Sequence, residues 1–446
     1  MKFCKGFTRL QINVIILLGS FVVLLLCSTL FLRLADSSTV FSPTPPHTKI
    51  RNARPSLSPT FNREINIGGS GDESVADVFT VDGKLYIFGS TASSDCDLDG
   101  EGGVYLAKVA ADGSTLGFAQ YGNAGDSLVR AVLCEGGFLL GINKSDGGSY
   151  LIATDLAGEK KSDADTSGAA NEQIADVKQF GERYVVLTRI TDNLGVVNLK
   201  ARVLNDKLET VADRVFQHAC SLEYIDLFEV GDGNYVIAVN LVSEIAGRMA
   251  FVSWGLRQSP LFYDIDLGSG SVYRCDAVIP YQHGYLAAVV DDKKICDIIT
   301  VSTAFALHSR IYLKQSSVGG ARLFYTPDGY FCLMKRGTDL STMIMLDFDL
   351  QYKGVAAQFS TAADVYSHSV YGNSAVFCMS GKRGAQVVTC ADGKVTGGAD
   401  FGCPYMENIF VRKIDGKLAF VATFDKTTSD CPVNFGKKDV WVAILN

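Results

Sequence analysis

A glycine turn between two short apolar runs recurs eight times after residue 60. Such a turn joins two strands of a β-hairpin, and a regular repeat of hairpins is typical of a fold built from stacked copies of one unit. The copies follow one another at intervals from the low forties to the low fifties of residues. In order, the turns are Asp82-Gly83, Gly136-Gly137, Gly181, Asp232-Gly233, Gly284, Asp328-Gly329, Gly372-Asn373 and Asp415-Gly416.

Each unit continues with a third strand, such as VYLAKV or YLIATDL, and then with a second turn. A four-stranded meander of this length cannot bury both of its faces alone, so neighbouring copies have to pack on each other. Closing the copies into a ring also removes the exposed sheet edges that invite aggregation. The sequence therefore predicts an all-β protein, a β-propeller of eight four-stranded blades. A seven-bladed ring with one irregular insertion is the alternative, because units four to six are the most divergent.

The two ends of the repeat region complement each other. The last unit stops after its third strand, VWVAIL, whereas the segment from Phe61 to Ser74 resembles the fourth strand and exit of unit one. The N-terminal strand is therefore predicted to complete the last blade and close the ring.

A long apolar segment precedes the repeats. Residues 12–33 contain about the 20 apolar positions that a helix needs to cross a bilayer, so they are predicted to form one transmembrane helix. Lys2, Lys5 and Arg9 precede this segment, which predicts a cytoplasmic tail at residues 1–11 and an extracytoplasmic remainder of the chain. A cleaved signal peptide is the alternative, but the apolar run exceeds the about 7 to 15 residues usual for one.

The segment at residues 34–59 is rich in Pro, Ser and Thr, a composition that favours an extended stalk. The predicted β-propeller ectodomain then occupies residues 60–446. The expected location is thus the cell membrane, with a single pass.

Twelve cysteines occur, and ten of them lie beyond the predicted transmembrane segment. An even number in an exported domain is compatible with disulfides, although cysteine also serves as a small buried apolar residue. Cys378 and Cys390 lie on two consecutive predicted strands and form the candidate disulfide pair.

Two segments carry a resemblance to a known class of repeats. Residues 68–114 (GGSGDESVADVFTVDGKLYIFGSTASSDCDLDGEGGVYLAKVAADGS) and 427–445 (TTSDCPVNFGKKDVWVAIL) resemble the repeats of bacterial surface and secreted propeller proteins. The shared pattern is a GGSGxD start, an SSDGD turn and a DxWVxKLDxxG strand; Trp441 keeps its aromatic position, and Tyr105 stands at the earlier equivalent. The resemblance implies a propeller fold and an envelope location, and it implies no particular activity.

One acidic loop is a candidate metal site. Asp95, Asp97, Asp99 and Gly100 form a D-x-D-x-D-G motif, the alternating carboxylates that Ca²⁺ binding requires. Position twelve of the loop is Leu106 instead of the usual bidentate glutamate, so a solvated acidic turn is the competing interpretation. No other cofactor is expected, because no phosphate-binding loop or tryptophan-rich quinoprotein repeat is visible.

The remaining features narrow the function to a class. A net charge of −7 disfavours nucleic acid as a partner, and no nucleophile elbow or metal-binding histidine pair occurs. The sequence favours a non-catalytic binding or scaffolding module for a protein or a cell-envelope polymer, anchored through residues 12–33. An envelope carbohydrate-active enzyme, a hydrolase or lyase with its site at the channel mouth, is the alternative.

Overall fold

A computed structural model describes residues 61–445 apart from short gaps, and every regular element in this part is a β-strand. The gaps are residues 96–99, 101, 167–170, 232, 244–246, 268–271, 338–339, 360–364, 382–383, 392–393, 402–405 and 426–437. Within the described residues no helix is long and apolar enough to cross a membrane. The predicted tail, transmembrane helix and stalk lie outside the described residues.

Among the described residues, thirty-two strands form eight antiparallel four-stranded sheets, the blades of a propeller. Blade 1 contains β2 (Glu73–Val81), β3 (Lys84–Thr91), β4 (Val104–Ala110) and β5 (Thr115–Tyr121); blade 2 contains β6 (Ser127–Cys134), β7 (Gly137–Asn143), β8 (Ser149–Asp155) and β9 (Lys160–Asp165); blade 3 contains β10 (Glu172–Phe180), β11 (Arg183–Thr191), β12 (Val197–Leu204) and β13 (Thr210–Phe216); blade 4 contains β14 (Ser221–Gly231), β15 (Asn234–Val242), β16 (Gly247–Gly255) and β17 (Leu261–Asp264).

The second half of the ring repeats this plan. Blade 5 contains β18 (Tyr273–Tyr281), β19 (Gly284–Asp291), β20 (Cys296–Ser302) and β21 (Leu307–Gln315); blade 6 contains β22 (Val318–Thr326), β23 (Gly329–Arg336), β24 (Leu340–Leu346) and β25 (Tyr352–Phe359); blade 7 contains β26 (Val365–Tyr371), β27 (Ser374–Gly381), β28 (Gly384–Ala391) and β29 (Lys394–Phe401); blade 8 contains β30 (Met406–Ile414), β31 (Lys417–Asp425), β32 (Lys438–Leu445) and β1 (Phe61–Ile67). The prediction of eight blades is confirmed, and the seven-bladed alternative is wrong.

The core is divided among the blade interfaces. Eight apolar clusters occur, and each joins two neighbouring blades around the ring. Alternating residues of a strand point to opposite sheet faces, so each blade contributes one face to each of two clusters. Each blade is therefore stabilised mainly by its neighbours.

The ring closes through the N-terminal strand, as the sequence predicts. Strand β1 pairs antiparallel with β32, from Phe61 opposite Leu445 to Ile67 opposite Val440. Across the same junction the backbone N–H of Val75 in blade 1 donates to the Thr423 hydroxyl of blade 8 at 2.8 Å. The two ends of the chain thus belong to one continuous ring.

The first strand of each blade lies on the inner side of the ring, since first strands contact one another from blade to blade. Seven of these eight strands carry a register shift, which β26 lacks. Such a bulge inserts an extra residue and re-aims the side chains beside it. The inner strands therefore place selected side chains at the channel.

Candidate functional site

A row of charged side chains crosses the inner strands of blades 1 to 4. In each of these four strands a charged residue follows the register shift: Asp77 in blade 1, Arg130 in blade 2, Asp176 in blade 3 and Asp226 in blade 4. These four residues are called the charged belt below. Arg130 joins three blades, because its Nη1 lies 3.2 Å from Asp77 Oδ1 and its Nε lies 3.1 Å from Asp176 Oδ1. The belt therefore links neighbouring blades by ion pairs along the channel.

Further hydrogen bonds hold the three carboxylates of the belt in place. The Ala131 N–H donates to Asp77 Oδ2 at 2.7 Å, and the Tyr224 hydroxyl donates to Asp176 Oδ2. Asp226 accepts a hydrogen bond from Lys178 of the preceding blade. Each belt carboxylate thus has at least one hydrogen-bond donor from an adjacent blade.

The pKa values reflect this crowding. Burial raises the pKa of Asp77 above its ordinary value, and the opposing attraction of Arg130 only partly offsets burial. Burial alone would lower the pKa of Arg130, but Asp77 and Asp176 raise it above its ordinary value. Arg130 is therefore a permanent cation between two carboxylates that depend on it.

A polar cavity of about 470 Å³ opens on the channel side of blades 4 to 6, and it is called the channel pocket below. Its charged and amide side chains come from the inner strands of blades 4 to 6 and from the second strand of blade 4. They are Glu223, Asp226, Asn240, Arg274, Asp276 and Arg322. The pocket therefore presents carboxylates, guanidinium groups and an amide to one ligand-sized space.

Most of these groups also hold the wall together. Asn240 links blade 4 to blade 5, because its side chain donates to the Cys275 carbonyl and accepts from the Cys275 N–H, both at 2.9 Å. Asp276 accepts the Ala321 N–H at 2.9 Å, and Arg322 donates to the Asp276 carbonyl at 2.7 Å. The pocket wall is consequently stiff across blades 4, 5 and 6.

Two pocket side chains reach solvent. Glu223 is exposed, and it accepts a hydrogen bond from Asn240 at 3.2 Å. The Arg274 side chain is 57% exposed and pairs with the buried carboxylate of Asp276 at 2.7 Å. Glu223 and Arg274 are therefore the charged groups that an incoming ligand meets first.

Blades 7 and 8 carry a different polar sector. The Arg412 guanidinium donates to the Val78 carbonyl of blade 1 at 2.7 Å and to the Ser369 hydroxyl of blade 7 at 3.4 Å. His368 packs against Phe324 of blade 6, with ring centroids 4.6 Å apart. Partial desolvation of the imidazole and the positive charge of Arg412 lower the pKa of His368 below its ordinary value.

The predicted acidic loop is described only in part. Asp95 Oδ1 accepts the Ser70 N–H at 2.8 Å, which ties the loop to the start of blade 1. Asp97 and Asp99 lie outside the described residues. Among the residues that the structure does describe, no group of three or more His, Cys, Asp or Glu side chains is arranged to hold a metal. Calcium binding stays a prediction.

The two cysteines of the predicted disulfide lie in blade 7. Cys378 and Cys390 are both buried free thiols. Cys378 packs in the cluster shared with blade 8, whereas Cys390 packs in the cluster shared with blade 6. The blade 7 sheet therefore separates the two thiols.

Sequence analysis missed the charged belt and the channel pocket. The sequence does carry a signal for the belt, because a charged residue lies four or five residues before the end of the first strand in each of blades 1 to 4, as in VADVFTV and LVRAVLC. One such charge per repeat predicts a polar ring. The pocket itself depends on which blades adjoin, and no single repeat shows that.

Comparison with known proteins supports the fold. No protein-family model matches the chain, and no curated protein matches it significantly. Among solved structures, the quinohemoprotein alcohol dehydrogenase from Comamonas testosteroni is 10% identical with a TM-score of 0.54, covering 86% of this chain and 76% of that one.

Two further structures are similar. The quinohemoprotein alcohol dehydrogenase ADHIIG from Pseudomonas putida HK5 is 10% identical with a TM-score of 0.51, covering 87% of this chain and 78% of that one. The Dos1 propeller is 8% identical with a TM-score of 0.50, covering 87% and 95%. At these identities the likeness concerns the propeller fold alone, since one fold hosts many unrelated activities.

Proposed function

We propose that this protein is a membrane-anchored, extracytoplasmic binding module that holds a protein or cell-envelope polymer at the channel pocket. The observation that carries this proposal is that polar side chains of the pocket are already hydrogen-bonded to other residues of the pocket wall. Asp226 and Asp276 accept hydrogen bonds from neighbouring blades, and the Asn240 side chain is hydrogen-bonded to the backbone of Cys275. A surface fixed in this way binds without first paying to order its side chains.

The same hydrogen bonds favour a binding function over a catalytic one. Glycoside hydrolysis requires two carboxyl groups that are free to transfer a proton or to attack the sugar. Two of the three pocket carboxylates, Asp226 and Asp276, are used to join blades. Glu223 remains as the solvent-facing acid, which suits recognition better than a paired acid and base.

The capture of a ligand tests this function directly. Full-length protein, immobilised in detergent and exposed to native envelope extract, is expected to retain a defined protein or glycan. Arg274→Ala is expected to weaken retention about tenfold or more, because a charge-assisted hydrogen bond contributes about 1.5–3 kcal/mol. Bound material is identified and quantified by mass spectrometry.

Lys353→Ala is the matched control. Lys353 is likewise a half-exposed base, 51% exposed, paired with an aspartate, but it lies on the outer strand of blade 6. Its removal is expected to leave retention unchanged. Equal retention by the wild-type protein and the Arg274→Ala variant would contradict binding at the channel pocket.

The location is tested by proteolysis of intact cells. The proposal rests on the apolar segment at residues 12–33, the stalk at 34–59 and the resemblance to bacterial surface repeats. Trypsin added to cells that express the full chain is expected to cut after Lys49 or Arg51 and to release the propeller. Replacing both residues by Gln should reduce this release, and a propeller protected from trypsin in intact cells would overturn the location.

An envelope carbohydrate-active enzyme is the second candidate. The gathering of three carboxylates and two guanidinium groups from three blades in one pocket favours it. In the capture experiment, a hydrolase or lyase would return shortened glycan, and Glu223→Gln would stop the shortening while glycan is still retained. Intact glycan on the wild-type protein counts against this candidate.

A further inference from the structure

The channel pocket has an acidic side and a basic side. The lining that comes from blade 4 contains two carboxylates, those of Glu223 and Asp226, and no basic side chain. The lining that comes from blades 5 and 6 contains the guanidinium groups of Arg274 and Arg322 and the carboxylate of Asp276. Groups of opposite charge therefore border the same space.

One charged group on each side reaches solvent. Glu223 is exposed on the acidic side, and the Arg274 side chain is 57% exposed on the basic side. Arg274 uses Nε and Nη2 for Asp276, each 2.7 Å from Oδ1, and its Nη1 has no partner among the residues that the structure describes. Asp226 is occupied by Lys178 of blade 3. Glu223 and Arg274 are therefore the charged groups that can bind a ligand directly.

Asn240 keeps these two groups close to each other. Its Nδ2 donates to Glu223 Oε2 at 3.2 Å and to the Cys275 carbonyl at 2.9 Å. Cys275 directly follows Arg274 in strand β18. The Glu223 carboxylate and the backbone next to Arg274 thus lie within hydrogen-bond distance of one nitrogen atom, so a small ligand can contact both charged side chains.

We propose that the channel pocket binds a zwitterionic peptide, a short peptide segment with a free ammonium group and a free carboxylate. The ammonium group donates to Glu223, and the carboxylate accepts from Arg274. Such charge-assisted hydrogen bonds are about twice as strong as neutral ones. A ligand with one charge would leave the group on the opposite side without a partner when water is displaced, which costs binding free energy. The inference rests on the function proposed above and specifies the ligand of the same pocket.

A short peptide meets this requirement through its own ends. At pH 7 both ends are charged, because the α-amino group has a pKa of about 8 and the α-carboxyl group a pKa of about 3.5. An extended peptide spans about 3.5 Å per residue, so a cavity of about 470 Å³ accommodates two or three residues. A chain of uronic acids carries only the negative charge and would satisfy Arg274 alone.

The test compares four probes on full-length protein in detergent at pH 7, with affinity measured by isothermal titration calorimetry. Trialanine carries both charges, N-acetyl-trialanine only the carboxylate, and trialanine amide only the ammonium group. Each blocked peptide is expected to bind about tenfold more weakly than trialanine, because it lacks one charge-assisted hydrogen bond. A uronic acid trisaccharide is expected to bind no more tightly than N-acetyl-trialanine.

Two variants assign each charge of the peptide to its residue. In Glu223→Gln, acetylation of trialanine should no longer change the affinity, whereas amidation should still weaken binding about tenfold. Arg274→Gln should show the reverse pattern. Lys353→Ala is the matched control, and it should keep the wild-type order of the four probes.

The wild-type protein alone can overturn the proposal, even if a variant fails to fold. Equal affinity for trialanine and N-acetyl-trialanine, or tighter binding of the uronic acid trisaccharide, would show that the ligand is not a zwitterionic peptide. If trialanine does not bind but envelope material is retained and Arg274→Ala releases it, only the zwitterionic ligand is overturned. If neither binds, the proposed function fails as well.

Discussion

Deletion of residues 61–67 from the full-length chain is expected to abolish the cooperative unfolding transition of the propeller. This segment is the fourth strand of blade 8, and all of its ladder hydrogen bonds run to β32. Without it, β32 becomes an unpaired edge that can pair with other molecules. The expected results are aggregation at low concentration and a broad transition in urea, measured by tryptophan fluorescence and light scattering.

A single substitution tests the same closure more finely. Ile67 is 1% exposed and packs in the cluster between blades 8 and 1. Ile67→Ala is expected to lower the free energy of unfolding by about 3 kcal/mol, the middle of the range for buried aliphatic truncations.

Leu116→Ala is the control, because Leu116 is 47% exposed on the outer strand of blade 1. Its free energy of unfolding should change by about 0.5 kcal/mol or less. Equal losses in the Ile67→Ala and Leu116→Ala variants would mean that the N-terminal strand does not hold the ring.

The fold could be predicted because its determinants are local and repeated. The turn between the first two strands of each blade carries glycine at a positive φ, as at Gly83 (φ 68°) and Gly416 (φ 81°). The missing fourth strand of the last unit and the extra strand before the first unit are both visible in the sequence. One chain-wide pattern therefore fixes blade number and closure.

The register shows where the two cysteines of the candidate disulfide lie relative to the blade 7 sheet. Cys378 lies opposite Val387 on the neighbouring strand, and Cys390 is three residues further along that strand. Side chains alternate between faces, so an odd offset puts the two thiols on opposite sides of the sheet. Nearness in sequence indicated adjacent strands but could not indicate the shared face.

The contacts between blades could not be predicted from the sequence, for a different reason. The pairing of Arg130 with Asp77 and Asp176 depends on the angle at which one twisted sheet packs on the next. Repeats of similar sequence give similar blades, but the charge at each inner position varies from blade to blade. Only the assembled ring shows which charges meet.

Arg130→Met is expected to lower the free energy of unfolding by about 3 kcal/mol, because it leaves two buried carboxylates without their shared cation. The side chains of Asp77 and Asp176 are only 10% and 3% exposed, whereas that of Arg130 is 44% exposed, so water replaces the guanidinium only in part. Lys353→Met removes a cation from an outer-strand ion pair and should cost about 0.5 kcal/mol or less. A triple variant that adds Asp77→Asn and Asp176→Asn should recover much of the loss.

The loss caused by Arg130→Met is expected to depend on pH. Burial already raises the pKa of Asp77, and Arg130 opposes that rise, so removal of Arg130 raises this pKa further. The folded variant then binds a proton more tightly than the unfolded chain does, and stability from this group is lost as pH rises through the raised pKa. The difference from wild type should therefore be largest at neutral pH and shrink as the pH falls towards 4. Urea unfolding at several pH values measures it, and a difference independent of pH would show that the carboxylates do not depend on Arg130.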